Sequence, residues 1–453
     1  MRATTFSGKR LLVLMLVLVA SASMCFYWIR FTSTVHALRA SLPTLTPKVL
    51  TDFYPSWYAT RQLLLQHRDP YGTDVNRELQ MAYYGKVLDP TRPEERQDEQ
   101  RFVYPLYFMV FVVPTMDLDF QAVRIVVRWL LILCALANVV LWLRFVRPGL
   151  SAFALIVLFA LVLGSIPILQ NLSILQPFLL AACFIAGAAV AAASDRLFLA
   201  GALLAFATVK PQICLLLVAW YFLWLFSDWK RRRSLFLGFA ATLGLLLLVS
   251  ERLRPDWIVR YPGVLRDYAI YTHTKSFLWT YLSTPWDWLA TILALAIVAN
   301  YCWRVRRQPA NSPAFAVALS LVLALTVLIV PALGQPFNYV LLLPAVLLTI
   351  RYWRDLRRSA PLILAVIYTF CFCAFLPWLL AVVAVAQPLN VNREWLLNLW
   401  SLPLAATIAF PFPAFGMLIV LRRVASQPFG SPNGGSVLLQ ATGAVPAKGE
   451  QPA

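Results

Sequence analysis

Residues 11–31, LLVLMLVLVASASMCFYWIRF, form an apolar run long enough to cross a bilayer as a helix. Residues 51–72, TDFYPSWYATRQLLLQHRDPYG, begin the longest polar interruption of a chain that is 60% hydrophobic and 13% charged. After residue 120, apolar segments follow one another almost to the C-terminus. This order predicts an all-α polytopic integral membrane protein in which residues 32–120 form a large first loop outside the membrane.

The distribution of charge predicts the orientation of the chain. It carries 39 lysines and arginines and 20 aspartates and glutamates, a net charge of +19. The basic residues lie in short clusters between apolar runs, which is typical of membrane proteins and not of a nucleic-acid surface. We therefore expect cytoplasmic N- and C-termini, with membrane lipids as partners and no nucleic acid. With that orientation, the inner segments and both termini hold 20 of the basic and 4 of the acidic residues.

About twelve segments are predicted to span the membrane. They are 11–31, 121–143, 150–166, 177–193, 197–209, 211–227, 235–250, 288–303, 313–331, 338–350, 361–386 and 402–421. Residues 104–116 are too short to span, and we expect them to lie on or dip into the outer leaflet. The predicted organisation is one membrane domain, residues 1–423, with a second outer loop at 251–285 and a disordered cytoplasmic tail at 424–453.

The first apolar run also has features of a cleaved signal peptide. A basic flank precedes it, and small residues occur at 20–23. Its apolar character continues through residues 26–29 and exceeds a typical signal core, so we favour an uncleaved first helix.

Two charged residues on the predicted outer face are the main candidates for chemistry. Asp52 precedes Phe53-Tyr54-Pro55, so its carboxylate is expected to cap a helix or to act as a general base for a sugar hydroxyl, and the sequence leaves both open. Lys210 interrupts more than ten apolar residues on each side, where a cation is unfavourable without a counter-charge or a polar cavity. We favour an anionic phosphate as its partner over a structural ion pair.

Amide side chains at the same predicted face are further candidates. Gln170 and Asn171 end one span, and Gln176 opens the next. Gln335 and Asn338 lie in a proline-rich outer turn of the same character. These amides either bind substrate hydroxyls or satisfy helix ends, and the sequence favours neither.

The remaining polar features give weaker signals. His273 and Lys275 lie in the second outer loop, which either covers a site or is simply solvated, the commoner case. Asp117 and Asp119 have a spacing found in metal sites, but so short a motif is weak. The seven cysteines lie in apolar segments without a Cys-x-x-Cys pair. We expect no metal ligands and no cofactor, although a divalent metal stays open.

Short motifs in this chain resemble those of the GT-C membrane glycosyltransferases, most closely the polyprenyl-phosphate-mannose-dependent glycosyltransferase family 87. They are Asp52-Phe53-Tyr54, Asp69-Pro70-Tyr71-Gly72, Phe102-Val103-Tyr104-Pro105, Leu169-Gln170-Asn171, Lys210-Pro211 and the turn 331–339. Their order and shared outer face carry the resemblance, since each alone is short. The resemblance implies a GT-C-like bundle with interfacial helices in the first outer loop.

The same resemblance implies an activity. The enzyme would transfer a sugar, mannose in the family, from a polyprenyl-phosphate donor to a lipid or glycan acceptor. Asp52 would be the catalytic base, and Lys210 would bind the donor phosphate. The substrate pocket would be lined by Tyr54, Asp69, Tyr71, Tyr104, Gln170 and Asn171.

Two departures from the family pattern leave the donor sugar open. Leu169 stands where the pattern has glycine, and the outer turn 334–339 lacks histidine. Two other function classes also remain, a transporter or flippase of a lipid-linked saccharide and a non-catalytic scaffold for envelope synthesis. In the scaffold, Asp52 would be only a helix cap.

Overall fold

The computed structural model describes residues 8–40, 50–89, 99–272, 275–358, 361–386 and 393–425. His273 and residues 426–453 of the predicted tail lie outside these residues. Throughout the described ranges the regular structure is helical, which confirms the all-α prediction.

Helices α1 to α10 occupy the first part of the chain. They are α1 Gly8–Ala40, α2 Tyr54–Gln66, α3 Thr73–Tyr84, α4 Phe120–Val146, α5 Ala152–Leu163, α6 Ile166–Ile174, α7 Phe178–Ala193, α8 Leu197–Ala207, α9 Pro211–Phe226 and α10 Trp229–Leu253. The later helices are α11 Trp257–Thr272, α12 Phe277–Tyr281, α13 Trp286–Val305, α14 Pro313–Ile329, α15 Leu343–Arg351, α16 Trp353–Leu356, α17 Pro361–Ala386, α18 Arg393–Ile408 and α19 Pro411–Ala425. Short 3-10 helices occur at Leu106–Phe111, Val113–Thr115 and Pro336–Leu342.

Six helical segments among the described residues are long and apolar enough to cross a membrane. They are Gly8–Thr34, Phe120–Val146, Trp229–Leu253, Trp286–Val305, Pro361–Ala386 and Ser401–Arg423. Helices α5 and α6, bent by 49° at their junction, would make a seventh span if they count as one. The chain is therefore a membrane protein by the length and composition of its helices.

The other predicted spans coincide with shorter apolar helices. These are α7, α8, α9, α14 and the segment Pro336–Arg351. Helix α8 has 11 residues, which corresponds to about 16 Å, roughly half of the hydrocarbon thickness. Helix α14 is buried continuously from Phe315 to Leu328, as expected for the centre of a bundle. The count of twelve spans stays a prediction.

Helices α8 and α10 cross with their backbones in contact. A Cβ atom on Gly201 would lie 2.0 Å from the carbonyl oxygen of Leu235, and one on Gly238 would lie 2.0 Å from the carbonyl oxygen of Phe198. Both positions therefore require glycine, because the two backbones touch there. The crossing fixes α8, whose C-terminal end leads into Lys210.

The first polar loop folds onto the bundle. Arg68 forms ion pairs with Asp74 at 2.7 Å and Glu78 at 2.8 Å, which connect the end of α2 to α3. The hydrogen bonds from Arg68 hold the pKa values of both carboxyls below their usual range. Residues 104–116 contain the first two 3-10 helices, and Leu106 to Met109 are buried against the protein. Neither 3-10 helix is long enough to span, as expected for this segment.

Candidate functional site

Asp52 lies in the turn that leads into α2. Its backbone N–H donates to the carbonyl oxygen of Ile174 at 2.9 Å, so this turn is attached to the end of α6. The helix begins at Tyr54 with Phe53 at the cap position. The Asp52 carboxylate instead accepts a hydrogen bond from the side chain of Gln176, with Nε2 to Oδ2 at 2.9 Å. The capping role and the general-base role of Asp52 both stay predictions.

Gln176 connects the two main candidates. Its Oε1 accepts hydrogen bonds from the Lys210 ammonium at 2.9 Å and from the Tyr104 hydroxyl at 2.8 Å. Since an ammonium only donates and a carboxylate only accepts, these partners fix which end of the amide is oxygen. These four residues, Asp52, Tyr104, Gln176 and Lys210, are here called the Gln176 network. They come from four separate places in the chain.

The position of Gln176 follows from how α6 ends. Helix α6 finishes at Ile174, and Leu175 adopts the left-handed conformation with φ of 53°. The backbone N–H of Gln176 then donates to the carbonyl oxygen of Asn171 at 2.9 Å. A leucine in this conformation is unusual, and the turn directs the next residue into the protein, where Gln176 is 6% exposed.

Lys210 lies in the connection between α8 and α9, outside the six long spans, and is 7% exposed. Three aromatic rings surround its ammonium at 5.3–5.7 Å, those of Phe178, Phe337 and Tyr104. Burial lowers the pKa of this ammonium to about 7, and the charge of Asp52 opposes that shift.

Tyr104 is held in place by its neighbours in the first loop. Its ring stacks on Phe108 with centroids 4.5 Å apart. Its carbonyl oxygen accepts a hydrogen bond from the Tyr71 hydroxyl at 2.8 Å. Tyr71 therefore does not contact Gln176 through this bond. It contacts Tyr104 and helps to position it.

A comparison with protein families gives a match. The model of glycosyltransferase family 87 matches residues 102–331, about half of the chain. The chain belongs to glycosyltransferase family 87. This confirms the family predicted from the short motifs, and with it a membrane glycosyltransferase. No curated protein and no solved structure matches the chain.

The family match covers only part of the Gln176 network of this family 87 glycosyltransferase. Tyr104, Gln176 and Lys210 lie within it, whereas Asp52 precedes it. In the sequence, Gln176 is only one of several amides at predicted helix ends. The available signal was a polar Gln-Pro pair directly before the apolar run of α7, and it did not distinguish Gln176 from Gln170.

Two predicted pocket residues have other surroundings. Tyr54 packs among the rings of Trp57, Tyr58, Tyr83 and Phe120. Asp69 forms ion pairs with Arg254 and Arg260, and its carboxylate also accepts the backbone N–H of Tyr71 at 3.1 Å. The described contacts of both residues are those of loop packing.

The predicted amides are placed at two different depths of burial. Asn171 is fully buried and donates to the carbonyl oxygens of Pro167 at 2.7 Å and Phe337 at 2.8 Å. It therefore ties α6 to the turn that carries Phe337. Asn338 is buried in that turn and Gln335 is exposed.

The remaining candidates, Gln170, Lys275 and Asp119, lie in three different surroundings. The Gln170 Oε1 atom is buried without a hydrogen-bond partner in the described residues. Lys275 is exposed, with its ammonium 4.8 Å from the Trp279 ring. Asp119 caps α4 by accepting the Ala122 N–H at 2.8 Å. Within the described ranges no three metal-binding side chains come together.

The bundle also contains an apolar cavity of about 230 Å³. Helices α1, α5, α6, α17 and α18 and the segment 339–350 line it. Its wall includes Tyr339 and Val340, two and three residues after Phe337, whose ring faces Lys210. The segment that carries Phe337 therefore continues directly into the wall of the cavity.

Proposed function

We propose that this glycosyltransferase moves one sugar from a polyprenyl-phosphate-sugar donor to a hydroxyl of a lipid or glycan acceptor, at the outer face of a bacterial inner membrane. The observation that carries the proposal is the connection of Asp52 to Lys210 through one amide group. The carboxylate is suited to accept a proton and the ammonium to neutralise a phosphate. Sugar transfer from a lipid phosphate uses both chemistries in one site.

In the proposed reaction, Asp52 accepts the proton of the acceptor hydroxyl while the hydroxyl oxygen bonds to the anomeric carbon of the sugar. The bond from that carbon to the phosphate oxygen breaks, and its electron pair leaves with the polyprenyl phosphate. Lys210 donates hydrogen bonds to the leaving phosphate and stabilises its added charge. Asp52 afterwards releases the proton to water.

The position of Lys210 supports an anionic ligand. Helix α9 begins at Pro211, directly after the lysine, and α7 begins at Phe178, whose ring is 5.3 Å from the ammonium. Helix N-termini carry partial positive charge and favour anions. A phosphate at this point would be stabilised by the ammonium and by both helix ends.

The apolar cavity supports a lipid donor. We assign it to the first part of the polyprenyl chain, because its wall continues from the turn at Phe337 beside Lys210. A donor held in this way would present its phosphate to the ammonium while the rest of its chain stays among the helices. A nucleotide-binding fold is then unnecessary.

We further propose a GT-C-like topology of about twelve spans with both termini in the cytoplasm. The seven long or bent spans and the five shorter apolar helices together match the twelve predicted segments. In this arrangement Asp52 and Lys210 lie on the outer face. Mannose is the first donor sugar to test, because of the family resemblance.

The test is mass spectrometry of lipid-linked and envelope glycans from cells that lack the gene. Complementation with the wild-type gene is expected to restore one missing sugar addition, whose mass identifies the sugar class. Asp52→Asn at equal protein level is expected to restore none, because an amide cannot accept the proton. Asp119→Asn is the matched control, since Asn replaces Asp well at a helix cap.

Two results would contradict the proposal. Full restoration by Asp52→Asn would remove its role as a base and favour a transporter or a scaffold. A deletion strain that accumulates the complete lipid-linked saccharide on the inner face, with every sugar addition made, would point to a flippase.

A further inference from the structure

The side chain of Gln176 differs from those of the other amides at helix ends. Its three hydrogen bonds go to side chains, those of Asp52, Lys210 and Tyr104, which come from separate segments of the chain. An amide that served only to satisfy a helix end would bond to backbone groups, as Asn171 does. The structure therefore gives Gln176 a role in the arrangement of charged groups.

An amide suits the place between an anion and a cation. Its N–H bonds to the Asp52 carboxylate, and its oxygen bonds to the Lys210 ammonium, without adding charge. Opposite charges attract strongly in a buried site, because water does not screen them. Without the amide, Asp52 and Lys210 would be drawn into a direct ion pair.

We propose that Gln176 is a positioning residue that keeps the Asp52 carboxylate and the Lys210 ammonium apart, so that each charge meets a substrate group instead of the other charge. This inference rests on the proposed function of the two residues. A direct ion pair would make the carboxylate a weaker base and would compete with a phosphate for the ammonium. Tyr104 is the third titratable side chain facing the amide, and it holds the amide oxygen in place.

The test uses farnesyl phosphate as a probe of the ammonium. Its dissociation constant is measured with purified protein in nanodiscs of neutral phosphatidylcholine, for the wild type, Gln176→Met, Asp52→Asn and the double variant. Methionine keeps the unbranched chain of glutamine and removes its hydrogen bonds. Size-exclusion chromatography checks that each variant is folded, and Gln176→Leu replaces Gln176→Met if that variant does not fold.

We expect Gln176→Met to weaken farnesyl phosphate binding at least tenfold, because Asp52 captures the ammonium. Asp52→Asn alone is expected to bind as tightly as the wild type or more tightly. In the double variant the competing carboxylate is gone, so binding should return to within about threefold of Asp52→Asn. A purely structural role for Gln176 would not produce this rescue.

Two outcomes would overturn the inference. One is a Gln176→Met variant that binds like the wild type, and the other is a double variant as weak as Gln176→Met. Failure of the proposed function would look different, because the wild type itself would then bind farnesyl phosphate no better than farnesol. Gln121→Leu, at an exposed position on α4, is the control for loss of a glutamine elsewhere.

Discussion

Two buried cations at separate places in the bundle have opposite surroundings. Arg232, 5% exposed, donates hydrogen bonds to carbonyl oxygens at the C-terminal ends of α9 and α13, including those of Arg306 at 3.0 Å and Arg307 at 3.2 Å. Its guanidinium also lies 4.0 Å from the Trp224 ring. Lys210 lies instead at the N-terminal end of α9, where its described hydrogen-bond partner is one amide oxygen.

The difference indicates how the two charges are used. Helix C-termini carry partial negative charge, so Arg232 is neutralised by the fold itself and joins two helices. Helix N-termini carry partial positive charge, so the surroundings of Lys210 favour an anion. A buried cation with a complete set of carbonyl partners is structural, whereas one at a helix N-terminus is suited to a ligand.

The largest expected effect separates the two cations directly. Lys210→Met should reduce sugar transfer by about 100-fold or more, with folded protein near the wild-type level, because it removes the charge that stabilises the leaving phosphate. Arg232→Met should instead lower the yield of folded protein, since buried carbonyl groups that lose a partner cost about 1–3 kcal/mol each. The measurements are transfer rate per folded molecule and yield by size-exclusion chromatography. The comparison would be contradicted if Lys210→Met lowered the yield of folded protein and Arg232→Met lowered only the transfer rate.

The second prediction concerns the crossing of α8 and α10. Helix α8 leads to Lys210, and α10 carries Arg232. Gly238→Ala should destabilise the protein by about 1–3 kcal/mol, because the added Cβ atom would meet the carbonyl oxygen of Phe198. Gly244→Ala is the matched control on α10, where a Cβ atom meets nothing within 4 Å. Thermal unfolding in detergent measures both. Equal midpoints for the two variants would mean that the crossing is looser than described.

The third prediction uses the pKa of about 7 for Lys210. A bound donor phosphate would raise this pKa, so donor binding takes up a proton when the pH is above 7. The donor KM should therefore rise roughly tenfold per pH unit above 7 and level off below it. The donor is a phosphodiester, which does not titrate in this range.

Lys210→Arg supplies the control for this pH effect, because a guanidinium stays charged. Its donor KM should vary little between pH 7 and 9, whatever its absolute value. If the wild type and the arginine variant showed the same rise, another group would be responsible.

The smallest effect is expected at Asp69, which pairs with Arg254 at 2.8 Å and Arg260 at 3.3 Å. These side chains are partly exposed, so Asp69→Asn should cost less than about 1 kcal/mol of stability. Transfer should fall only a few-fold, through slight movement of Tyr71 and Tyr104. Loss of all activity at a normal protein level would mean that Asp69 contacts substrate, as its motif first suggested.

The fold could be predicted from sequence to the extent that the membrane imposes it. Apolar length located the segments that became α1, α4, α10, α13 and α17, because lipid requires long apolar helices. The same rule predicted a span at 197–209, where α8 has 11 residues, so this span stays a prediction. Gly201 of α8 contacts the backbone of α10, and hydropathy does not detect such a contact.

The candidate site could be predicted in part. Charge in an apolar context singled out Lys210, and the structure connects it to Asp52 as members of one network. The connecting residue, Gln176, is 124 positions from Asp52 along the chain, so only the packing of α6, α7 and α9 brings them together. Arg232 gave no sequence signal beyond its basic cluster, since its partners are backbone groups that every residue has.

The most direct measurement compares binding of farnesyl phosphate with binding of farnesol, in the wild type and in Lys210→Met. The two probes share an apolar chain and differ in the phosphate. The wild type is expected to bind the phosphate about 10- to 100-fold more tightly, which corresponds to roughly 1.5–3 kcal/mol for charged hydrogen bonds, and Lys210→Met should lose this preference. A preference of equal size in both proteins would show that Lys210 does not bind the phosphate.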